Sequence, residues 1–317
     1  MQRWAPSFLL RTAVTHDSPS LSVLVCDGLA EPGLALLRLE AEVILDDLSA
    51  LGRVDAWIVR GRSQVDAAGL RSAAPRLRVV GRAGVGFDNI DLEAARQLGV
   101  TVVTAPQAST TAVAELTIGL MLALARDIPA ADAALRRGEW PKASMIGSEL
   151  EGKTLGLVGF GRIGRAVAAR AAAFGMSRLA FDPYLDDDAI RAGGAEPASR
   201  EALLASSDYV SLHLPLTAET RGVFGRSAIA GMKPGARLVC AARGGLIDEQ
   251  ALHQALDEGR LAGAALDVFA QEPPRDLALL HHPRLVATPH LGAQTVEAQA
   301  RVAIEIANNV LAALRGA

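Results

Sequence analysis

Short apolar runs alternate with helical stretches along most of the chain. Ser22–Cys26, Val43–Leu45, Ala56–Val59, Leu77–Val80 and Val100–Val103 read as buried strands. Between them Pro32 stands at the start of one helix, and Asp66 and Asp91 are placed to cap two others. This rhythm predicts an α/β unit with a parallel sheet. It breaks at Ala112–Arg126, a long and nearly all-apolar helix entered through Gln107-Ala-Ser-Thr-Thr111. A helix apolar on every side has to be buried, between domains or between subunits. The polar stretch that follows, with Gly138-Glu139-Trp140-Pro141, reads as an excursion onto a second chain. The alternation then resumes. Ser199 caps a helix to Ala205, and Tyr209–Leu214 and Arg237–Ala241 are strands. Asp248 caps a helix ending near Gly259, and Ala264–Val268 and Leu285–Ala287 are further strands. Thr295 caps a last helix to Leu314, expected to return to the first domain.

One stretch in the second half carries a specific signal. Leu155–Val158 is a buried-strand run, followed by Gly159-Phe-Gly161-Arg162-Ile163-Gly164 and a helix over Arg165–Phe174 that Gly175 closes. A second apolar run ends in Asp182, eighteen residues after the last glycine. G-x-G-x-x-G alone is weak; between a strand and a helix, with an acid at the end of the next strand, it is the dinucleotide fingerprint. The glycines let the backbone approach a pyrophosphate, and the helix N-terminus adds donors and a positive dipole. Asp182 would accept bonds from the adenosine ribose hydroxyls. It is followed by Asp186-Asp187-Asp188, with no Lys or Arg before Arg191, so a 2′-phosphate would be repelled. The cofactor expected is NAD rather than NADP. The fingerprint starts only at Gly159, so the first domain holds something else.

Composition narrows the class. A length of 317 residues, half of them hydrophobic, suits two buried cores. A formal net charge of −3 offers no field for nucleic acid or an acidic membrane. Of the 32 basic residues only Lys142, Lys153 and Lys233 are lysines, and the arginines are scattered. Two cysteines, Cys26 and Cys240, build no disulfide framework and no metal-type Cys/His spacing is present, so a cytoplasmic setting and no metal are expected. The longest apolar stretch, Leu116–Ala125, is too short to span a bilayer. Residues 1–20 do not look like a signal peptide and read as a disordered or loosely packed extension.

Reduction of a 2-oxo acid by such a cofactor needs a cation for the carboxylate and an acid for the ketone oxygen. Arginine suits the first through its planar fork; histidine steadied by a carboxylate suits the second. Ligands of open α/β sheets bind at the strand ends. There the second domain offers Arg243 in Ala241-Ala242-Arg243-Gly244-Gly245, Glu272 in Gln271-Glu272-Pro273-Pro274, and His290 in Pro289-His290-Leu291-Gly292-Ala293. In the first domain Arg60 and Arg82 end two strands, and Gly84-Val85-Gly86 would turn backbone N–H groups to an anion. A substrate with a second anion, most simply phosphate, is therefore expected. The bland alternative is that Arg60 or Arg62 pairs with acids of its own domain.

From about Val23 onward the chain resembles the D-isomer-specific 2-hydroxyacid dehydrogenases, and among them the D-3-phosphoglycerate dehydrogenases of phosphorylated serine synthesis. The matching stretches are Val79-Val-Gly-Arg82-Ala-Gly-Val-Gly86-Phe-Asp-Asn89, Ala114-Glu-Leu-Thr117, Gly159-Phe-Gly-Arg-Ile-Gly164, Ala242-Arg-Gly-Gly245, Ala265-Leu-Asp-Val-Phe269, Glu272-Pro-Pro274 and Pro289-His-Leu-Gly-Ala293. The resemblance puts the catalytic trio on Arg243, Glu272 and His290. It implies pyrophosphate contacts from Arg162 and Ile163, nicotinamide-amide contact from Asp267, and cofactor-lining roles for His213, Pro215, Ala242 and Gly292. It also implies a dimer with Ala112–Arg126 at the interface. The expected fold class is α/β, with two doubly wound parallel-sheet domains. A flavodoxin-like substrate domain would span 21–106 and 290–317, and a Rossmann NAD-binding domain 107–289, with a hinged cleft at the two crossings. Two departures stand out: the loop Thr104–Ser109 lacks the asparagines common there, and Ala241 replaces a frequent cysteine. The chain stops at Ala317, so serine control through a C-terminal regulatory domain is not expected. The alternatives are a glyoxylate or hydroxypyruvate reductase, an unphosphorylated acid being the runner-up substrate, and more remotely an NAD(H)-sensing corepressor.

Overall fold

The computed structural model describes residues 21–275 and 277–316; the expected N-terminal extension lies outside them. The described chain forms two compact units. The first takes residues up to Ala83, then Phe87–Thr104 and the C-terminal segment from Ile306. In chain order it contains β1 (Leu21–Val25), α1 (Glu31–Arg38), β2 (Ala41–Leu45), β3 (Ala56–Val59), α2 (Ala67–Ala73), β4 (Val79–Arg82), α3 (Leu92–Gln97) and β5 (Thr101–Thr104). The five strands are parallel in the order β2-β1-β3-β4-β5, the flavodoxin-like arrangement. Asp66 and Asp91 cap α2 and α3 by accepting the N–H of Gly69 and Ala94. One core of the unit gathers Leu24, Trp57, Val59, Leu70 and Val80. On the sheet's other side, a Cβ on Gly81 would stand 2.6 Å from Val310 and 3.3 Å from Ile306, so the C-terminal helix packs directly on β4.

The second unit takes Gly84–Gly86 and Ala105–Glu305. It opens with α4 (Thr110–Arg126) and α5 (Ile128–Arg136). There follow β6 (Thr154–Val158), α6 (Arg162–Ala173), β7 (Ser177–Phe181), α7 (Asp187–Ala192), β8 (Glu196–Pro197), α8 (Arg200–Ser206), β9 (Tyr209–Leu212), α9 (Arg226–Gly231), β10 (Arg237–Cys240), α10 (Glu249–Asp257), β11 (Gly263–Leu266), α11 (Leu277–Leu280), β12 (Leu285–Ala287) and α12 (Val296–Gly316). The last helix begins in this unit and continues into the first. The seven strands are parallel in the order β12-β11-β10-β9-β6-β7-β8. Strand order reverses at β6/β9, as in a Rossmann sheet extended by one strand. Both expected α/β architectures are thus present. No helix among the described residues is long and apolar enough to cross a membrane.

Two local expectations change. The polar stretch after α4 holds a helix of its own, α5, started by Pro129 and hidden in the sequence by its mixed faces. Helix α4 buries most of its apolar surface within its own unit, against α6 and the strands β10, β11 and β12, rather than needing a second body to cover it. Thr111, Glu115, Gly119 and Arg126 form its exposed stripe.

Candidate active site

The glycine loop sits at the topological switch point. Gly159 follows β6 with φ +91°, a left-handed conformation that glycine adopts without strain. A Cβ there would lie 2.6 Å from the carbonyl oxygen of His213, which follows the adjacent β9. A Cβ on Gly164 would lie 2.5 Å from the Gly159 carbonyl oxygen, so α6 starts tight against the loop. Gly161, the N-cap of α6, faces open space instead. Two glycines therefore let the chain fold back on itself, and the third leaves the backbone bare at the helix N-terminus. Asp182, just past β7, accepts the Phe160 N–H at 2.8 Å and the Tyr184 N–H at 3.0 Å. These bonds fix a carboxylate beside the loop with lone pairs to spare. A bare backbone at a positive helix end, with a fixed carboxylate at the next strand end, fits a dinucleotide diphosphate and its ribose diol. Burial pushes His213 down to about 4, so its ring is neutral at pH 7; its Nε2 lies 2.9 Å from Ser211 Oγ.

The loops after three neighbouring strands, β10, β11 and β12, carry Arg243, Glu272 and His290. Asp267 follows β11 and is fully buried. Its Oδ1 accepts from the Thr288 hydroxyl at 2.6 Å and the Leu291 N–H at 2.7 Å, and its Oδ2 accepts from the Gly292 N–H at 2.8 Å. Its backbone carbonyl accepts the His290 N–H at 2.8 Å. These bonds bracket His290, whose φ is +54°, unusual for a side-chain-bearing residue. The imidazole Nδ1 lies 2.7 Å from Glu272 Oε2, while Glu272 Oε1 accepts the Phe269 N–H at 3.1 Å. Burial alone would raise the Glu272 carboxyl. The bonds from His290 and Phe269, with the charges of His290 and Arg243, outweigh it and hold the group below the ordinary glutamate range. At neutral pH it is a carboxylate, so Nδ1 carries the proton of that bond and Nε2 is left for other work.

Arg243 follows β10, and its Nη1 donates to the Ala242 carbonyl at 2.6 Å. The next residue, Gly244, passes so close to the Phe269 carbonyl that no Cβ fits. Glu249, at the start of α10, accepts the Ala270 N–H at 2.7 Å. The arginine loop and the glutamate loop are thereby packed onto each other. Cys240 at the end of β10 is buried, which pushes its thiol up to about 11; it is no nucleophile.

In the first unit Arg60 and Arg82 follow or end neighbouring strands, in a register that pairs Val59 with Arg82. Asp27, past β1, accepts the N–H groups of Arg60, Arg62 and Ser63 at 3.0, 3.2 and 3.0 Å, and the Ser63 hydroxyl at 2.7 Å. The Arg62 Nε lies 3.8 Å from Asp27, with the side chain 82% exposed. Among the described residues the Arg60 guanidinium makes no hydrogen bond or ion pair. Burial lowers its pKa, countered by the charge of Asp27. Gly84 and Val85 cluster with the second unit, and the Gly84 carbonyl accepts the Ala105 N–H.

The family model for the D-isomer specific 2-hydroxyacid dehydrogenase NAD binding domain matches residues 118–292. The chain belongs to this family. Its second unit is accordingly the NAD-binding domain. At the sequence level the chain is 46% identical over 306 residues to D-3-phosphoglycerate dehydrogenase 2, chloroplastic, of Arabidopsis thaliana, covering 94% of this chain and 49% of that one. It is 45% identical over 304 residues to D-3-phosphoglycerate dehydrogenase of Methanocaldococcus jannaschii, covering 93% and 58%. The chain thus spans about half the length of the curated relatives it matches. Among solved structures, a glyoxylate reductase from Paecilomyes thermophila superposes with a TM-score of 0.85 at 33% identity, covering 94% of this chain and 96% of that one.

The second unit gathers the expected Gly159, Gly161, Gly164, Asp182, Arg243, Glu272 and His290 at the C-terminal ends of one sheet. Sequence reasoning missed Glu249 and Thr288 as organisers of these loops, and Asp27 as organiser of the Arg60–Ser63 loop in the first unit. Asp27 alone left a trace, an acid directly at a strand end. Asp182→Ala is expected to weaken NADH and to narrow its margin over NADPH, because a carboxylate at this place would repel a 2′-phosphate. Fluorescence titration with both nucleotides measures this; wild-type protein binding NADPH as tightly as NADH would contradict it.

Proposed function

We propose that the protein transfers a hydride between NAD(H) and C2 of a D-2-hydroxy acid or its 2-oxo form, most simply 3-phosphoglycerate and 3-phosphohydroxypyruvate. The observation that carries the chemistry is the 2.7 Å contact between His290 Nδ1 and Glu272 on the binding edge of the NAD sheet. When bound, the nicotinamide supplies or accepts the hydride. Arg243 holds the substrate carboxylate through its fork. His290 gives the proton at Nε2 to the C2 oxygen in reduction and takes it back in oxidation, while the Glu272 carboxylate steadies the charged ring. Arg162, Ile163, His213, Pro215, Ala242 and Gly292 line the cofactor in this reading. Asp267, besides facing the nicotinamide amide, holds the backbone around His290.

The substrate assignment rests on the first unit. Arg62 leans on Asp27, whereas the half-buried Arg60 has a desolvated charge and no hydrogen-bonded partner among the described residues. Such a guanidinium favours an anionic ligand. We assign Arg60, with Arg82 and the Gly84–Val85 backbone, to the second anion. The D-3-phosphoglycerate dehydrogenases among the relatives support the same choice. One observation favours the unphosphorylated alternative. In the altered loop the N–H groups of Gln107 and Ala108 are taken by Glu305, at 3.2 and 2.9 Å, and offer nothing to a phosphate.

A homodimer and a cytoplasmic setting complete the reading. The first is supported by Trp140 and Ile146, 78% and 85% exposed on the segment after α5, and the second by two free, buried cysteines. Sedimentation velocity decides the mass.

His290→Ala is expected to lower kcat by about 10²- to 10⁴-fold with NADH still bound, since proton transfer is the lost contribution. A kcat near wild type would refute the assignment. Glu272→Gln should cost less and move the pH–rate profile, because the ring loses its charged partner; an unmoved profile would separate the two residues functionally. For the substrate, kcat/KM should favour 3-phosphohydroxypyruvate over hydroxypyruvate in wild type, and Arg60→Ala should erode that preference. A wild-type preference for hydroxypyruvate would sink the phosphate reading.

A further inference from the structure

We infer that Asp27 is a specificity-determining positioning residue: it shapes the Arg60–Ser63 loop and ties back Arg62, so that Arg60 is the guanidinium presented to the substrate's second anion. The inference rests on the reading of Arg60 given above and deepens it.

Four observations carry it. Asp27 has φ +67°, in the left-handed region that residues other than glycine seldom occupy, and its side chain is only 7% exposed. One carboxylate oxygen collects three donors of the loop, the N–H groups of Arg60, Arg62 and Ser63. The other takes the Ser63 hydroxyl and lies nearest Arg62 Nε. The far end of the loop is pinned separately, where Asn89 Nδ2 donates to the Ser63 carbonyl at 2.6 Å.

The consequence is chemical. Backbone N–H groups converging in a loop form a concavity that would itself take an anion. Here the protein's own carboxylate fills that concavity, so from this loop an external anion meets side chains only. Of the two guanidiniums, only Arg62 comes within ion-pair distance of Asp27, at 3.8 Å, while the half-buried Arg60 feels its charge without pairing to it. Four hydrogen bonds outweigh burial and hold the Asp27 carboxyl below its ordinary range, so the arrangement persists through the neutral range. Without the carboxylate, the three N–H groups lose their acceptor and the two arginines lose their distinct settings. Recognition of the distal anion should loosen, while chemistry at C2, carried by other residues, should change far less.

The test is steady-state kinetics of the full chain with NADH, comparing 3-phosphohydroxypyruvate with hydroxypyruvate in wild type, Asp27→Asn, Asp27→Gly and Arg60→Ala. Asn and Gly both tolerate the left-handed backbone, and Gly removes the strain along with the carboxylate. The expected result is a KM for the phosphorylated substrate raised about tenfold or more in both Asp27 variants, with kcat within about threefold. Their kcat/KM for hydroxypyruvate should move by less than about threefold, so the selectivity ratio falls. Equal losses on both substrates would overturn the inference, as would an unchanged ratio or tighter use of the phosphorylated compound. Failure of both variants to fold would overturn it too, marking Asp27 as a general fold determinant. If Arg60→Ala destroys the selectivity while the Asp27 variants keep it, this inference alone fails. If Arg60→Ala changes nothing, the assignment of the second anion fails beneath it.

Discussion

One fully buried carboxylate organises the loop that carries His290. Asp267 sits at the end of β11 and accepts from Thr288, Leu291 and Gly292, donors on both sides of His290. A buried carboxylate is tolerated when several donors surround it, and here every donor comes from one short loop. The loop therefore has little freedom to place His290 anywhere else. The histidine accepts a left-handed backbone as the cost. That backbone and the Glu272 contact together set the direction of the ring. The neighbouring strand ends add to the same construction: Gly244 admits the Phe269 carbonyl, and Glu249 holds Ala270.

The first unit solves its own loop problem in the same way. Asp27 stands two residues past the end of β1 and gathers the loop after β3, as Asp267 gathers the loop after β12. In both cases an interior parallel strand, second from the side of its sheet, delivers an acid to the C-terminal edge, and a loop from a neighbouring strand wraps it. Parallel sheets place all such loops on one edge, so carboxylate-to-backbone bonds can order several of them without extra secondary structure. Asp182 does the same on a smaller scale, tying the turn after β7 to the glycine loop.

Much of this was legible in the sequence, because the informative features are local. The glycine fingerprint needs only a strand, a turn and a helix in succession, and the structure supplies β6, the loop and α6 in that order. Arg243, Glu272 and His290 were readable as strand-end residues once the strands were located. Acids before Gly69 and Ala94 were readable as caps. What escaped depends on contacts between distant segments. Asp27 and Ser63 are 36 residues apart, and Asp267 and Gly292 are 25 apart. No spacing rule links an acceptor to donors in another loop. Helix α4 was read as needing an external partner because its composition is apolar all round, yet α6 and the sheet bury most of it. The two-residue strand β8 carries too little pattern to be seen at all.

The central claim is that Asp267 acts through His290, and a double-mutant cycle tests it most directly. kcat for the proposed reduction of a 2-oxo acid would be measured in wild type, His290→Ala, Asp267→Asn and the double variant, each checked for folding by its thermal transition and for NADH binding by fluorescence. If the carboxylate serves to hold the histidine, the loss in Asp267→Asn disappears once His290 is gone, and the double variant lies within about threefold of His290→Ala. Losses that multiply in the double variant would show that the two residues act independently and would contradict the account.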